Sequence, residues 1–173
     1  MELAASAGDS GKAMARPENA SGIPIWRFVA LALLALAGFG ISAYLTAVHY
    51  ADAPLACSVT SLIDCSAVTH SAYSVVSSSS VPIAALGLVW FGVVGGAAIT
   101  AILSTTRQDL MVMVQAALAL GGLLYVLYLV YVELVQLHRI CEWCTGVHLL
   151  TVGIFFMAAS NLQALLGGHG ETG

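Results

Sequence analysis

The stretch Cys141-Glu142-Trp143-Cys144-Thr145-Gly146-Val147-His148-Leu149-Leu150 sets two thiols one helical turn apart at the head of a long apolar run that continues to Leu166. Cys-x-x-Cys alone is open to three readings: a dithiol that cycles with a disulfide, half of a metal site, or a structural bridge. On a helix the two thiols share one face, and His148, four residues beyond Cys144, continues that face inward. Cys141 stands at the helix N-terminus, where free backbone donors and the helix dipole favour a thiolate, with Arg139 adding to the effect and Glu142 opposing it. Cys144 lies deeper. A thiolate there can meet an electron acceptor dissolved in a bilayer, and the usual membrane-soluble two-electron acceptor is a quinone.

The run has three companions. A spanning helix needs roughly 20 apolar residues to cross a hydrocarbon core about 30 Å thick, and residues 26–48, 82–103, 110–137 and 141–166 all reach that length. A composition of 60% hydrophobic and 8% charged residues, with mean hydropathy +0.94, excludes an ordinary soluble domain. Backbone groups in lipid must bond within their own segment, which selects helices over strands. The sequence therefore predicts an all-α integral membrane protein, a four-transmembrane-helix bundle surrounded by membrane lipids. A net charge of -4 with no basic cluster argues against nucleic acid as a partner.

Orientation follows from the few cations. Lys12, Arg16 and Arg27 precede or open the first helix and Arg107 lies between the second and third, whereas Arg139 alone falls in the opposite loops. The positive-inside rule then makes both termini cytoplasmic and puts the loop 49–81 and the link 138–142 on the outer face. All four cysteines, Cys57, Cys65, Cys141 and Cys144, share that face, and an even number of thiols suits an oxidising compartment. Within the loop, Leu62, Ile63, Val68 and Tyr73 suggest a short lid helix lying on the membrane. Cys57 and Cys65 are spaced so that a loop can bring them into a bridge. Ser77-Ser78-Ser79-Ser80 ahead of Pro82 reads as a linker into a helix start.

The chain divides into a polar N-terminal tail (1–22), a membrane domain (23–167) and a C-terminal tail (168–173). The sequon Asn19-Ala20-Ser21 falls on the cytoplasmic side and reads as a chance match. The short polar link 104–109 makes the second and third helices antiparallel neighbours. Gly38 with Ser42, and Gly92 with Gly96, are spaced for close helix packing. Glu133, near the outer end of the third helix, reads first as reaching the interface or meeting His138 or Arg139, with a functional role as the alternative. Tyr125, Tyr128 and Tyr131 read as core packing and interface anchors.

Other chemistries for the thiols fare less well. Thr145 stands where a covalently attached haem would need histidine. A four-thiolate zinc site has the right ligand count, but the wide Cys57/Cys65 spacing and an oxidising face count against it, so no metal is expected. Inert structural disulfides remain open beside redox-active exchange, which is the leading reading.

Taken with these helices and cysteine pairs, Cys65-Ser66-Ala67-Val68-Thr69-His70-Ser71 and Val81-Pro82-Ile83-Ala84-Ala85-Leu86-Gly87 resemble the vitamin K epoxide reductase family in its bacterial form, over roughly Trp26 to Leu166. The resemblance implies a thiol-disulfide relay at the bacterial cytoplasmic membrane that supports disulfide formation. A periplasmic thioredoxin-like partner would deliver electrons by attack at Cys57, Cys65 would exchange with Cys141, and Cys144 would reduce a bound quinone of the menaquinone, ubiquinone or vitamin K type. Ser71 matches the family's loop serine, with a plain cap as its alternative. His148 stands where animal relatives carry a tyrosine that touches the quinone. It would donate a hydrogen bond or shuttle a proton there, or else be a buried histidine bonded to a carbonyl. Ser80 replaces the glycine that bacterial members usually place before this helix. Many bacterial relatives carry a fused thioredoxin-like domain, so a chain ending at Gly173 leads to the expectation of a separate redox partner. The alternatives are a vitamin K epoxide reductase using a dithiol donor and a non-catalytic membrane protein with structural disulfides.

Overall fold

The computed structural model describes residues 22–76 and 80–170, with side chains to residue 167, and each long apolar run within it is a helix. In chain order these are α1 (Ile25–Ala51), a short α2 (Cys65–Thr69), a 3-10 turn (Ala72–Ser74), α3 (Ile83–Leu103), a 3-10 turn (Thr105–Arg107), α4 (Gln108–Tyr131) running into a π-helical turn (Val132–Leu137), and α5 (Glu142–Gly170). Expectations for Lys12, Arg16, the sequon at residues 19–21, the linker residues 77–79 and the last three residues lie outside the described part. Among the described residues there is no strand, only two isolated bridges.

Local chemistry sets the helix ends. Pro24 and Pro82, at φ -68° and -69°, sit just ahead of α1 and α3, where a fixed φ and a missing N–H cost nothing. Asp52 and His138 stop α1 and the π turn in the left-handed region, at φ 48° and 52°. α5 starts at Glu142, which leaves Cys141 as the residue that caps it, and it runs past the expected end at Leu166.

Four helices are long and apolar enough to cross a membrane. They close into a ring: α1 packs on α3 and α5, and α4 packs on the same two, so α1 and α4 lie diagonally opposed. Along α1 the buried positions are Phe28, Leu31, Ala35, Gly38, Ser42 and Leu45, an alternation of three and four that makes one inward stripe. Leu33 and Leu36, 61% and 66% exposed, face outward, so apolar character surrounds the helix as lipid requires. Between such helices cohesion comes from tight packing, because lipid tails are as apolar as leucine. A methyl group on Gly38 would land in the Phe91 ring, and one on Gly122 in the Trp90 indole. Ser42 is buried and approaches Gly87, and Gly92 faces Phe39. Gly96 departs from expectation, with open space where its Cβ would lie. Tyr125, Tyr128 and Tyr131 are 39–51% exposed and lie outside the core, so only the anchoring half of their reading fits their position.

Candidate functional site

Two peptide staples bring the outer loop onto the start of α5. Ile63 and Ile140 form a parallel bridge, in which the Ile140 N–H donates to the Leu62 carbonyl at 2.9 Å and the Asp64 N–H donates to the Ile140 carbonyl at 3.1 Å. The Arg139 guanidinium donates to the Ser61 carbonyl beside them. Asp64 then caps α2, its Oδ1 accepting from the Ala67 N–H at 3.0 Å. The bridge therefore delivers the two residues that follow it, Cys65 opening α2 and Cys141 capping α5, to the same place. Both are buried, with Val68, in one cluster against which Leu55, Cys57, Leu137, Trp143 and Cys144 pack.

Within that cluster Cys57 and Cys65 form a disulfide with Cα atoms 6.2 Å apart, and Cys141 and Cys144 are free thiols. The Cys141 sulfur receives the Cys144 backbone N–H at 3.2 Å and the Cys144 thiol at 2.6 Å. These contacts hold the Cys141 thiol below the ordinary cysteine range: the hydrogen bond from the Cys144 side chain is the main cause, burial works against it, the Cys144 and Trp143 amides assist and the Glu133 carboxylate opposes. The expected thiolate preference at this helix start thus has a structural basis, while the Arg139 guanidinium is turned to Ser61.

Behind Cys144 a cavity of about 770 Å³ opens between the helices, with walls that include Leu45, Val68, Phe91 and Val126. Of the four cysteines, Cys144 alone lines it, together with Ser71, Glu133 and His148. Glu133 is 6% exposed, and its carboxylate meets the Cys141 backbone N–H and the Cys144 thiol. The π-helical turn begins beside it, and its own carbonyl accepts from the Arg139 N–H at 3.1 Å. Such turns occur often at functional sites, where they re-aim a side chain. A second cavity of about 440 Å³ shares Tyr73, Ile83, Leu86 and Tyr125 with the first, which continues the space toward the outer surface of α3 and α4.

An independent comparison of the sequence points the same way: the model of the vitamin K epoxide reductase family matches residues 29–159. The chain belongs to that family. A comparison with curated proteins finds no match. Membership makes this multi-pass membrane protein an oxidoreductase of a generally quinone-linked family.

In this vitamin K epoxide reductase family member the structure brings the sequence-predicted site residues into one region. Cys57, Cys65, Cys141 and Cys144 converge, and Ser71 and His148 reach the cavity. Ser71 also behaves as a cap, its hydroxyl donating to the Val68 carbonyl at 2.8 Å. His148 is buried, 7% exposed, on the face of α5 that continues inward from Cys144. Glu133 departs furthest from its first reading: it neither reaches the interface nor pairs with His138 or Arg139 but sits at the dithiol. The signal for it was a carboxylate inside an apolar run, eight residues before Cys141. No group of His, Cys, Asp and Glu able to hold a metal occurs among the described residues.

Proposed function

We propose that the protein oxidises a thioredoxin-like dithiol at the outer face of the bacterial cytoplasmic membrane and passes two electrons through its cysteine pairs to a membrane quinone. The observation that carries this reading is the single buried cluster in which Cys65 packs with Cys141 while Cys144 alone borders the cavity. One pair meets the other, and one sulfur meets the bilayer space. In this reading the membrane domain is 23–167, and the position of Arg27 and Arg107 at the end away from the cysteines supports cytoplasmic termini, with tails 1–22 and 168–173.

A partner thiolate attacks Cys57 and Cys65 leaves as a thiolate, which attacks Cys141 of an inner disulfide and releases Cys144. The partner's second thiol then frees Cys57, and Cys57 displaces Cys141 from Cys65. The net products are a partner disulfide, the Cys57–Cys65 bridge and an inner dithiol, the arrangement of sulfurs found here.

The residues around Cys144 fit a quinone: apolar walls suit a ring and prenyl chain, and the lining also offers the Glu133 carboxylate, the His148 imidazole, the Ser71 hydroxyl and the Cys144 thiol. When bound, a quinone supplies the acceptor for two electrons and two protons. The chain contributes the rest. Glu133 takes the proton of the Cys144 thiol it meets, Cys141 closes on the Cys144 sulfur to form the inner disulfide as the electron pair passes to the acceptor, His148 holds a ring nitrogen at the cavity wall, and Ser71 caps the lid helix from that wall.

Purified protein mixed with a reduced thioredoxin-like protein and a soluble quinone should oxidise the partner's thiols, and Cys141→Ala should stop it. Absence of thiol oxidation, or no effect of Cys141→Ala, contradicts the reading. Turnover of vitamin K epoxide with a dithiol donor, measured in parallel, would redirect it to the reductase alternative.

A further inference from the structure

The two residues between the inner cysteines both reach the backbone on either side of Cys57. The Trp143 indole N–H donates to the Ala56 carbonyl at 2.8 Å, and Glu142 Oε2 accepts from the Ser58 N–H at 3.3 Å. Ala56 is held on its other side too, its N–H donating to the Tyr44 hydroxyl at 3.3 Å, while the Tyr44 ring tilts against Trp143 with centroids 5.0 Å apart. Residues 53–60 have no regular secondary structure, so these peptide groups find partners in the first turn of α5 and on α1. Satisfying backbone groups in an irregular segment fixes it in place.

The two ends of the loop disulfide are therefore anchored differently. Cys65 starts α2 behind the Asp64 cap and the Ile63–Ile140 bridge. Cys57 is set by the first turn of α5, next to Cys141, the thiol with which it competes for Cys65. We propose that Glu142 and Trp143 are positioning residues that hold Cys57 beside Cys65 while the loop bridge is open, so that Cys57 outcompetes Cys141 for the Cys65 sulfur. This rests on the relay reading. The step is an intramolecular exchange: the Cys57 thiolate attacks Cys65 of a Cys65–Cys141 bridge, the Cys57–Cys65 bond forms, the Cys65–Cys141 bond breaks, and the electron pair leaves on Cys141. A clamp raises the effective concentration of Cys57 at that sulfur without touching the reacting atoms.

A three-thiol variant isolates this competition. In Cys144→Ala protein with one disulfide, Cys65 is shared between Cys57 and Cys141, and the ratio of the two bridges after equilibration with trace dithiothreitol, acid quench and peptide mapping reads the clamp directly. Trp143→Phe keeps a ring against Tyr44 and loses the donor, and Glu142→Ala loses the acceptor. Each should shift the ratio about three- to tenfold toward Cys65–Cys141, the scale of one net hydrogen bond, with the melting temperature unchanged. Tyr44→Phe, which frees the Ala56 N–H from the far side, should shift it in the same direction and serves where an α5 variant misfolds. If the Cys144→Ala parent exchanges and all three variants keep its ratio, the clamp is overturned and the relay stands. If the parent never exchanges between the two bridges, the relay reading falls and the clamp falls with it.

Discussion

The thiol of Cys144 donates to the sulfur of Cys141 at 2.6 Å, and the Cys144 amide reaches that sulfur at 3.2 Å. Two donors on one sulfur favour its thiolate, which makes Cys141 the nucleophile and Cys144 the proton-bearing partner. A lowered pKa means more thiolate at neutral pH. The rate of Cys141 alkylation should rise with pH and level off below the midpoint near 8.5 of an ordinary cysteine, and Cys144→Ala should move that midpoint upward. Iodoacetamide kinetics followed by peptide mapping measure both.

Glu133 meets the Cys144 thiol inside the cavity, and no cation pairs with it among the described residues. Glu133→Gln keeps shape and removes the base, so quinone reduction should fall by about a hundredfold, the usual scale for one positioned acid or base. Exchange between Cys65 and Cys141 should continue in the same variant. Stopped-flow quinone absorbance and disulfide mapping separate the two effects.

What the sequence made legible follows from how local each signal is. Four helices and their inward stripes appear as apolar length and spacing, and the Cys-x-x-Cys pair appears as a motif. The position of Glu133 depended on a π-helical turn that periodicity at 3.6 residues does not announce. The contacts of Trp143 and Glu142 leave no trace in the sequence because their partners, at Ala56 and Ser58, are more than 80 residues away and are backbone atoms, which leave no pattern in side-chain identity. Gly38 and Gly96 look alike as small residues, and only the neighbouring Phe91 ring distinguishes them.

Asp64 caps the five-residue α2 that presents Cys65. Asp64→Ala should destabilise this lid helix by about 1 kcal/mol. Faster hydrogen exchange at Val68 and Thr69, with little change in global melting temperature, would show the effect as local.

Gly38 leaves room for the Phe91 ring at the α1–α3 seam. Gly38→Ala should cost roughly 1–3 kcal/mol, as overpacking of a tight core does, whereas Gly96→Ala, with open space at its Cβ, should leave stability unchanged. Thermal unfolding in detergent compares the two.

The inner pair alone should complete one quinone reduction. Prereduced Cys57→Ala/Cys65→Ala protein, mixed with a soluble quinone, is predicted to form one hydroquinone and one Cys141–Cys144 disulfide per chain, and then to stop even with a thioredoxin-like dithiol present. A folded variant that forms no hydroquinone, or one that keeps turning over with the protein donor, would contradict the relay.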